Sequence, residues 1–381
     1  MKRRDFVKLS AVCGLGLSVS PAISKPTLAS DDTKPKTNIE EALKYPRTQN
    51  SLPGKYPGKV VRVNNPKAIV DEKISEDVVY QMVAAGMLSL TGEKNIKNAY
   101  HKFFSDTDRI GLKVNPVAGP SLSTSLEITK AIIRQLEESG ISRKNILIWD
   151  RREFEMHECG FISDNFPGIT VIGTEQKDPS GSFYDKDGKL YGENMIDKDW
   201  FYWADTEEKY DAETIPYMVN EGRYSYFSKI LTQMVDKVIN IPILKNAGAS
   251  VTLCLKNLAY GAVSNTGRLH KQLWAETCAE VPAFPPLRDK VVLNIVDGIK
   301  GCFDGGPGAN PNFFCNFNTV LIGTDPVAVD RIGYDIVIKK RIDEKIQQTD
   351  NPRGRRFMEL ASKLSLGISD IEKINLKTIS V

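Results

Sequence analysis

Histidine is scarce in this sequence, with three in 381 residues. A three-histidine metal site would need His101, His157 and His270 together, and nothing in their spacing favours that. The six cysteines include no C-x-x-C, which argues against a ferredoxin-type cluster or a zinc ribbon. Excess charge is missing too. The formal charge is +3, but Lys2, Arg3, Arg4, Lys8 and Lys25 against Asp5 supply +4 of it, which leaves −1 from residue 30 onward. A near-neutral chain gives no reason to expect nucleic acid or an anionic membrane as a partner. No internal repeat or long low-complexity tract is apparent. The apolar stretch Leu9–Val19 is interrupted by Gly14 and Gly16 and is too short for a permanent membrane span.

What is present begins at that terminus. Arg3-Arg4-Asp5-Phe6-Val7-Lys8 resembles a twin-arginine export signal, a pair of arginines followed by a large apolar residue and a lysine. Charged, apolar and small-residue regions follow in the order of a cleaved targeting segment, so residues 1–29 are read as a signal peptide, cut after Ala22 or Ala29. The expected location is periplasmic or otherwise exported, with the twin-arginine translocase as transport partner. Five cysteines follow Cys13. In an oxidising compartment Cys302–Cys315 is the best disulfide by proximity, with buried free thiols as the alternative. Residues 30–57, with Pro35, Pro46, Pro53 and Pro57, read as a linker or arm.

The remaining chain, 58–381, reads as α/β: mostly parallel sheet with flanking helices, in two lobes around a cleft. The lobes are 58–175 and 228–381, separated by an aromatic-rich insertion at 176–227. Lys59–Val63 is the first strand and Glu76–Leu90 a helix, with Val79, Met82, Val83 and Met87 at helical spacing. Arg109–Val114 is a strand. Thr124-Ser125-Leu126-Glu127 fits a capping box, and the helix it opens carries Ile128, Ile132 and Leu136 on one face before Gly140. Ile146–Trp149 is the next strand, so this is a βαβ unit with a right-handed crossover. Tyr226–Met234 reads as helix, Lys237–Ile241 as strand, and Val251–Tyr260 as helix. Residues 183–227 hold twelve of the 32 aromatics, enough to read as either an insertion packed on a lobe or a lid over a ligand.

The chain is organised around Val291 to Arg331. Val291–Val296 is a strand that stops at Asp297-Gly298. A glycine loop, Gly305-Gly306-Pro307-Gly308, leads to a second strand at Thr319–Ile322. Asp325 is then an N-cap, with Pro326 at the first helical position. In α/β folds such strand ends and helix starts are where ligands bind. Lys113 and Asn115 leave the βαβ strand at the same rim, near Thr124 and Asp150. Lys245, Thr252, Lys256, Asn257, Arg268 and His270 cluster around a later strand end. Three lysines near helix-start N–H groups suit a small anion. On this reading Lys113, Asn115, Thr124, Lys245, Thr252, Lys256, Asn257, Gly305, Gly306, Gly308 and Asp325 bind the ligand. Asp150, His270 and Asp297 move protons.

These segments together resemble the domain of unknown function 362 family. The resemblance spans roughly Val60–Val381. It rests on Asp108–Asn115, on Ile146–Asp150, on Val238–Lys245, on Val251-Thr252 with Leu255–Leu258, and on Ile295–Gly298 with Gly305–Gly308 and Asp325–Asp330. The family has no settled general activity, so the resemblance implies a domain and not a reaction. Some members carry a ferredoxin-like insert, whose cysteine quartets are absent here. Members often have Thr-His before the first βαβ helix, where this chain has Thr124-Ser125. The functional expectation is an exported enzyme acting on a small phosphate- or carboxylate-bearing ligand. The alternatives are a periplasmic ligand-binding or cofactor-maturation protein without catalysis, and a metal-dependent or redox-associated protein using Asp150, Asp297, Asp304, Asp325 and His270. No cofactor is named by the sequence.

Overall fold

A computed structural model describes residues 35–177, 180–185, 187–206 and 210–381. The export signal read over residues 1–29 lies outside the described residues. The strands are β1 (Lys59–Asn64), a small hairpin of β2 (Ile69–Val70) and β3 (Lys73–Ile74), β4 (Ile110–Lys113), β5 (Ile146–Arg152) and β6 (Thr170–Glu175). A second hairpin follows, β7 (Ile196–Trp203) and β8 (Tyr224–Ser228). Then come β9 (Lys237–Asn240), β10 (Ile243–Ala247), β11 (Ser250–Thr252), β12 (Val291–Cys302), β13 (Phe314–Gly323) and β14 (Asn375–Ser380). Ten of these form one mixed, mostly parallel sheet in the order β14-β1-β13-β12-β9-β4-β5-β6, with β10 on β12 and β11 on β10. Strands from both expected lobes, 58–175 and 228–381, hydrogen-bond within it.

The central strands are apolar on both faces because helices cover both faces. On one side lie α1 (Glu76–Thr91) and α2 (Leu126–Glu138). Their Met82, Val83, Ile128 and Ile132 join Leu112, Ile239 and Ile295 in a buried cluster. On the other side lie α3 (Cys254–Ala262), α4 (Trp274–Glu280), α5 (Pro326–Asp343) and α6 (Arg356–Lys363). There Leu255, Leu258, Val329 and Phe357 join Trp149, Val238, Val296 and Leu321. Each such side chain contributes about 1.5–3 kcal/mol through burial. The chain steps from β4 outward through β5 to β6, then returns to β9 on the other flank of β4. The seam between β4 and β9 is therefore the place where the winding direction reverses, and such seams open at the carboxyl ends of the strands.

Several local expectations change. Tyr226–Met234 is not an α-helix. It is the end of β8 followed by a single π-turn, Ile230–Met234. The alternating aromatics there pair across to β7, with Phe201 at 5.0 Å from Tyr224 and 6.2 Å from Tyr226. Cross-strand packing thus outweighs helical spacing. The Val251–Tyr260 helix begins only at Cys254, because Ser250–Thr252 pairs with β10 as β11. β12 does not stop at Asp297-Gly298 but runs on to Cys302. Gly298 marks a close approach, since a Cβ there would lie 2.8 Å from Thr319. The Cys302–Cys315 disulfide does not form, and both thiols are free. Gly301 is the residue opposite Cys315, so Cys302 points to the other face of the hairpin.

The aromatic insertion packs as core rather than standing over a cavity. Tyr202 is buried and donates to Glu280 Oε2 at 2.9 Å, and Phe227 lies 5.4 Å from Phe284. Arg268 holds the insertion by donating to the carbonyls of Ala204, Gly222 and Arg223 at 2.7–2.9 Å. Its guanidinium also donates to Thr206 Oγ1 at 3.2 Å and is thus committed to the insertion, which removes it from the candidate site.

Candidate functional site

Lys113 ends β4 with no solvent exposure. Its ammonium donates to Asp150 Oδ1, to the Val114 carbonyl at 2.7 Å and to Asn257 Oδ1 at 3.1 Å. Parallel registry sets Lys113 against Trp149, so Asp150 follows one residue on, and the Trp149 ring lies 5.5 Å from the ammonium. Burial pushes Lys113 down and Asp150 up, toward each other. The pair is net neutral whichever member holds the proton. Asn257 arrives from α3, and one turn further on, Gly261 must lack a side chain. A Cβ there would lie 2.4 Å from Lys113 Cε and 2.5 Å from its Nζ. Gly261→Ala is expected to cost about 1–3 kcal/mol through overpacking. A urea-unfolding midpoint equal to that of the parent chain would show that the pair can simply move aside.

Asparagines extend the network across the sheet. Asn257 Oδ1 accepts from Asn115 Nδ2 at 2.9 Å, and Asn257 Nδ2 donates to Asn240 Oδ1 at 2.8 Å. Asn240 Nδ2 donates in turn to Asn294 Oδ1 at 2.9 Å. Each amide fixes the orientation of the next, so the group is rigid and preorganised. Thr124 braces one end, accepting from Asn115 N at 2.9 Å and donating to the Ile241 carbonyl at 2.7 Å.

Lys245 and Lys256 sit beside this network with a different kind of partner. Lys245, fully buried on β10, donates to Asn115 Oδ1 at 3.1 Å, to the Val117 carbonyl, and to the Leu122 carbonyl at 3.5 Å. Lys256 is only 8% exposed; its ammonium reaches Thr252 Oγ1 at 3.4 Å and stands 5.7 Å over the Trp274 ring. Thr252 is the residue opposite Lys245 across β10 and β11, which brings the two lysines into electrostatic range. Burial, reinforced by Lys256, pushes Lys245 down to about 7. Burial pushes Lys256 down as well. Among the described residues neither ammonium forms a salt bridge. Glu155 lies within electrostatic range of Lys245, but its Oε1 is bonded to Arg152 at 2.7 Å. Three buried ammonium groups thus share one directly paired carboxylate.

The remaining candidates are placed elsewhere or already engaged. Asp297 lies inside β12 on the opposite face from Lys113. Its Oδ2 accepts from Ser125 N at 2.8 Å and Ser125 Oγ at 2.6 Å. Ser125, not Thr124, is the N-cap of α2, so this helix start already holds an anion, the protein's own Asp297. Burial pushes Asp297 up, but both oxygens are occupied, the second by Ile299 N at 3.2 Å. Asp325 is an N-cap as expected and is closed in the same way. Its carboxylate accepts from Ala328 N at 2.9 Å and from Gly58 N and Ile368 N at 3.0 Å each. It ties three chain segments together rather than offering a ligand site, and burial lifts it to about 6.

The glycine loop is likewise engaged. Gly306 N donates to Asn246 Oδ1 at 3.1 Å, and a Cβ on Gly306 would lie 2.0 Å from the Asn246 carbonyl. Gly306 is there to let the loop pack on β10; Gly305, at φ +70°, makes the turn, and Gly308 faces open space. His270 has an exposed edge, and its ring lies 4.4 Å from Tyr260. Enclosure and then the Lys256 charge push it down to about 4, so it is neutral at physiological pH. The five residues offered as metal ligands are dispersed: Asp150 on Lys113, Asp297 on Ser125, Asp304 on Arg341 at 2.7 Å, Asp325 on backbone and His270 on Tyr260. Among the described residues no group of three or more His, Cys, Asp or Glu is placed to hold a metal ion.

Five of the lysine and asparagine positions lie after residue 237, on the strands and helix that follow the insertion. These five positions fall within a family match. Residues 206–335 match the family described as Domain of unknown function (DUF362). The match is narrower than the Val60–Val381 resemblance read from the sequence. No curated protein matches the chain. A crystal structure of a Thermotoga maritima protein, a structural-genomics target, is similar at 10% identity with a TM-score of 0.39. The alignment covers 70% of this chain and 59% of that one, so the chain spans under two thirds of its length.

The matched segment supplies Asn240, Lys245, Thr252, Lys256, Asn257 and Asn294, while Lys113, Asn115, Thr124 and Asp150 come from the βαβ unit before it. Asn240 and Asn294 were not among the expected site residues. Their signal is legible in hindsight: each is a lone polar residue inside an apolar strand, Val238-Ile239-Asn240-Ile241 and Val291-Val292-Leu293-Asn294-Ile295-Val296. Asp330 gave no such signal. From α5 it accepts from Cys254 N at 2.6 Å and Leu255 N at 3.0 Å, capping the start of α3. Leu253, at the cap position, cannot do so.

Proposed function

We propose that this protein binds a small anion, a phosphate or carboxylate group, at the lysine cluster where β4 and β9 diverge. One observation carries the reading: Lys245 and Lys256 are buried with only neutral partners, while Lys113 is paired. An uncompensated buried ammonium is expensive, and an anion seated beside it removes that penalty. Asn115 and Asn257, held by the asparagine network, would orient the anion.

Sulfate titration calorimetry between pH 6 and 9 tests this. The ammonium form of Lys245 attracts sulfate and the neutral amine does not. Affinity is therefore expected to be level below pH 7 and to fall about tenfold per pH unit above it, with protons taken up on binding. Sulfate keeps its charge across this range, so the slope belongs to the protein. A flat profile, or no binding, ends the proposal.

We extend the reading to an enzyme acting on such a ligand, with a changed proton carrier. Asp150, Asp297 and His270 are closed or neutral, whereas Lys245, at about 7, can exchange a proton near neutrality. The engaged state of Asp150 and Asp297 favours the second reading, a binding protein without catalysis. Release of inorganic phosphate from a bound monoester identifies an enzyme; stoichiometric retention identifies a binder. Export along the twin-arginine route belongs to the same proposal, and the N-terminal sequence of the protein recovered from its native host tests it.

A further inference from the structure

A second feature lies four strands from Lys113 along the sheet, about 19 Å at ~4.8 Å per strand. Here α5 leans over β1, β13 and β14 and leaves an open groove of about 380 Å³, within the ~300–1,000 Å³ typical of small-molecule sites. Its walls are apolar: Phe317, Ile332, Ile336, Ile371 and Leu376. Ile371, in the turn before β14, and Leu376, on the edge strand β14 itself, are 37% and 41% exposed, a large apolar surface for such positions.

The charged groups around this groove cancel, with one exception. Asp335 is bonded to Arg331. Lys339 pairs with Asp343 at 2.9 Å, and Lys340 with Glu344 at 2.6 Å. Arg62 remains. It stands on β1 between Asn64 and Thr319, and its Nε donates to Asn64 Oδ1 at 3.1 Å and Thr319 Oγ1 at 3.3 Å. Both acceptors are neutral and both use the same N–H. Among the described residues, Nη1 and Nη2 have no hydrogen-bond partner and no carboxylate pairs with this guanidinium. Burial lowers its pKa with no acidic neighbour to restore it. A half-buried arginine with its outer fork unused, beside apolar walls, matches a molecule with a greasy body and a single oxyanion head.

We propose that this groove is a separate binding site for an alkyl carboxylate, its chain along Phe317, Ile336 and Leu376 and its carboxylate on the Arg62 fork. The site is independent of the lysine cluster and would stand if that reading failed.

Decanoate is the probe, with acetate supplying the head alone and decanol the chain alone. Calorimetry on the folded chain should show one saturable decanoate site, with acetate and decanol each at least about tenfold weaker. Arg62→Gln should weaken decanoate about tenfold or more and leave decanol unchanged. Ile336→Asp should abolish decanoate binding. Lys256→Met should leave decanoate binding intact, which separates this groove from the lysine cluster. Far-UV circular dichroism confirms that each variant is folded. Absent saturation, equal decanoate affinity in the Arg62→Gln chain, or loss of binding in the Lys256→Met chain would each overturn the assignment.

Discussion

Lys256→Met is expected to make the protein more stable and to destroy its anion binding. Lys256 is buried, with one long hydrogen bond and the Trp274 ring as its surroundings. Its charge has given up water for almost nothing. Methionine keeps the length and flexibility of the lysine stem and adds a sulfur–aromatic contact. Replacing an ill-compensated buried charge in this way should gain about 1–3 kcal/mol. The pH dependence gives a second readout. The unfolded chain keeps the lysine proton up to about 10.4, and the folded chain releases it earlier. Between those values the unfolded state binds more protons, so stability rises with pH, and the substitution should remove this part of the slope. Urea unfolding at two pH values measures both effects, and sulfate calorimetry measures the binding. A destabilised variant would mean that Lys256 is a structural residue whose partner is the protein itself. A stabilised variant that still binds sulfate would place the anion elsewhere.

Asp330→Ala should be among the most damaging single changes in the second half of the chain. It would strand the N–H groups of Cys254 and Leu255 in an apolar core, each at about 1–3 kcal/mol, so a total loss of about 3 kcal/mol or more is expected. The same helix carries Lys256, Asn257 and Gly261, so sulfate affinity should drop with stability. Burial has raised Asp330 to about 7, against about 3.9 unfolded. A group raised in this way favours the folded state at low pH, and that contribution is lost as pH rises through 7. The charged form is therefore the disfavoured one, but the two N–H groups use different oxygens. Asp330→Asn keeps one acceptor and turns an NH2 group toward the other N–H, so it should lose less than the alanine change while still losing about 1–3 kcal/mol. Equal losses in the two variants would mean that one retained acceptor does not hold the start of α3 and that both oxygens are needed. Thermal and urea unfolding of the pair settle it.

The strands and helices with strong periodicity are where the sequence is a good guide. Ile110–Lys113, Leu126–Glu138 and Ile146–Arg152 form the βαβ unit as read, because apolar spacing and a cap act within a few residues. Asp325-Pro326 starts α5 for the same reason. Local signals mislead where a distant segment competes. β8 is read as helix until β7 is there to pair with it, and Gly298 is read as a stop until Thr319 is there to need the space.

The candidate site divides along the same line. The residue types were available from the chain alone: lysines, asparagines and aspartates at strand ends, in an α/β protein with a mostly parallel sheet. Which of them meet was decided by tertiary structure. Registry of β4, β5 and β9 brings Lys113 to Asp150 and Asn240, and α3 adds Asn257. The alternation of β12 carries Asp297 to the other face, where Ser125 takes it. Amino-acid order sets which groups can be charged and which segments are regular, because those depend on neighbours along the chain. Whether a charge is answered, as at Asp150 and Asp325, or left unanswered, as at Lys245 and Lys256, depends on neighbours across it, and only folding supplies those.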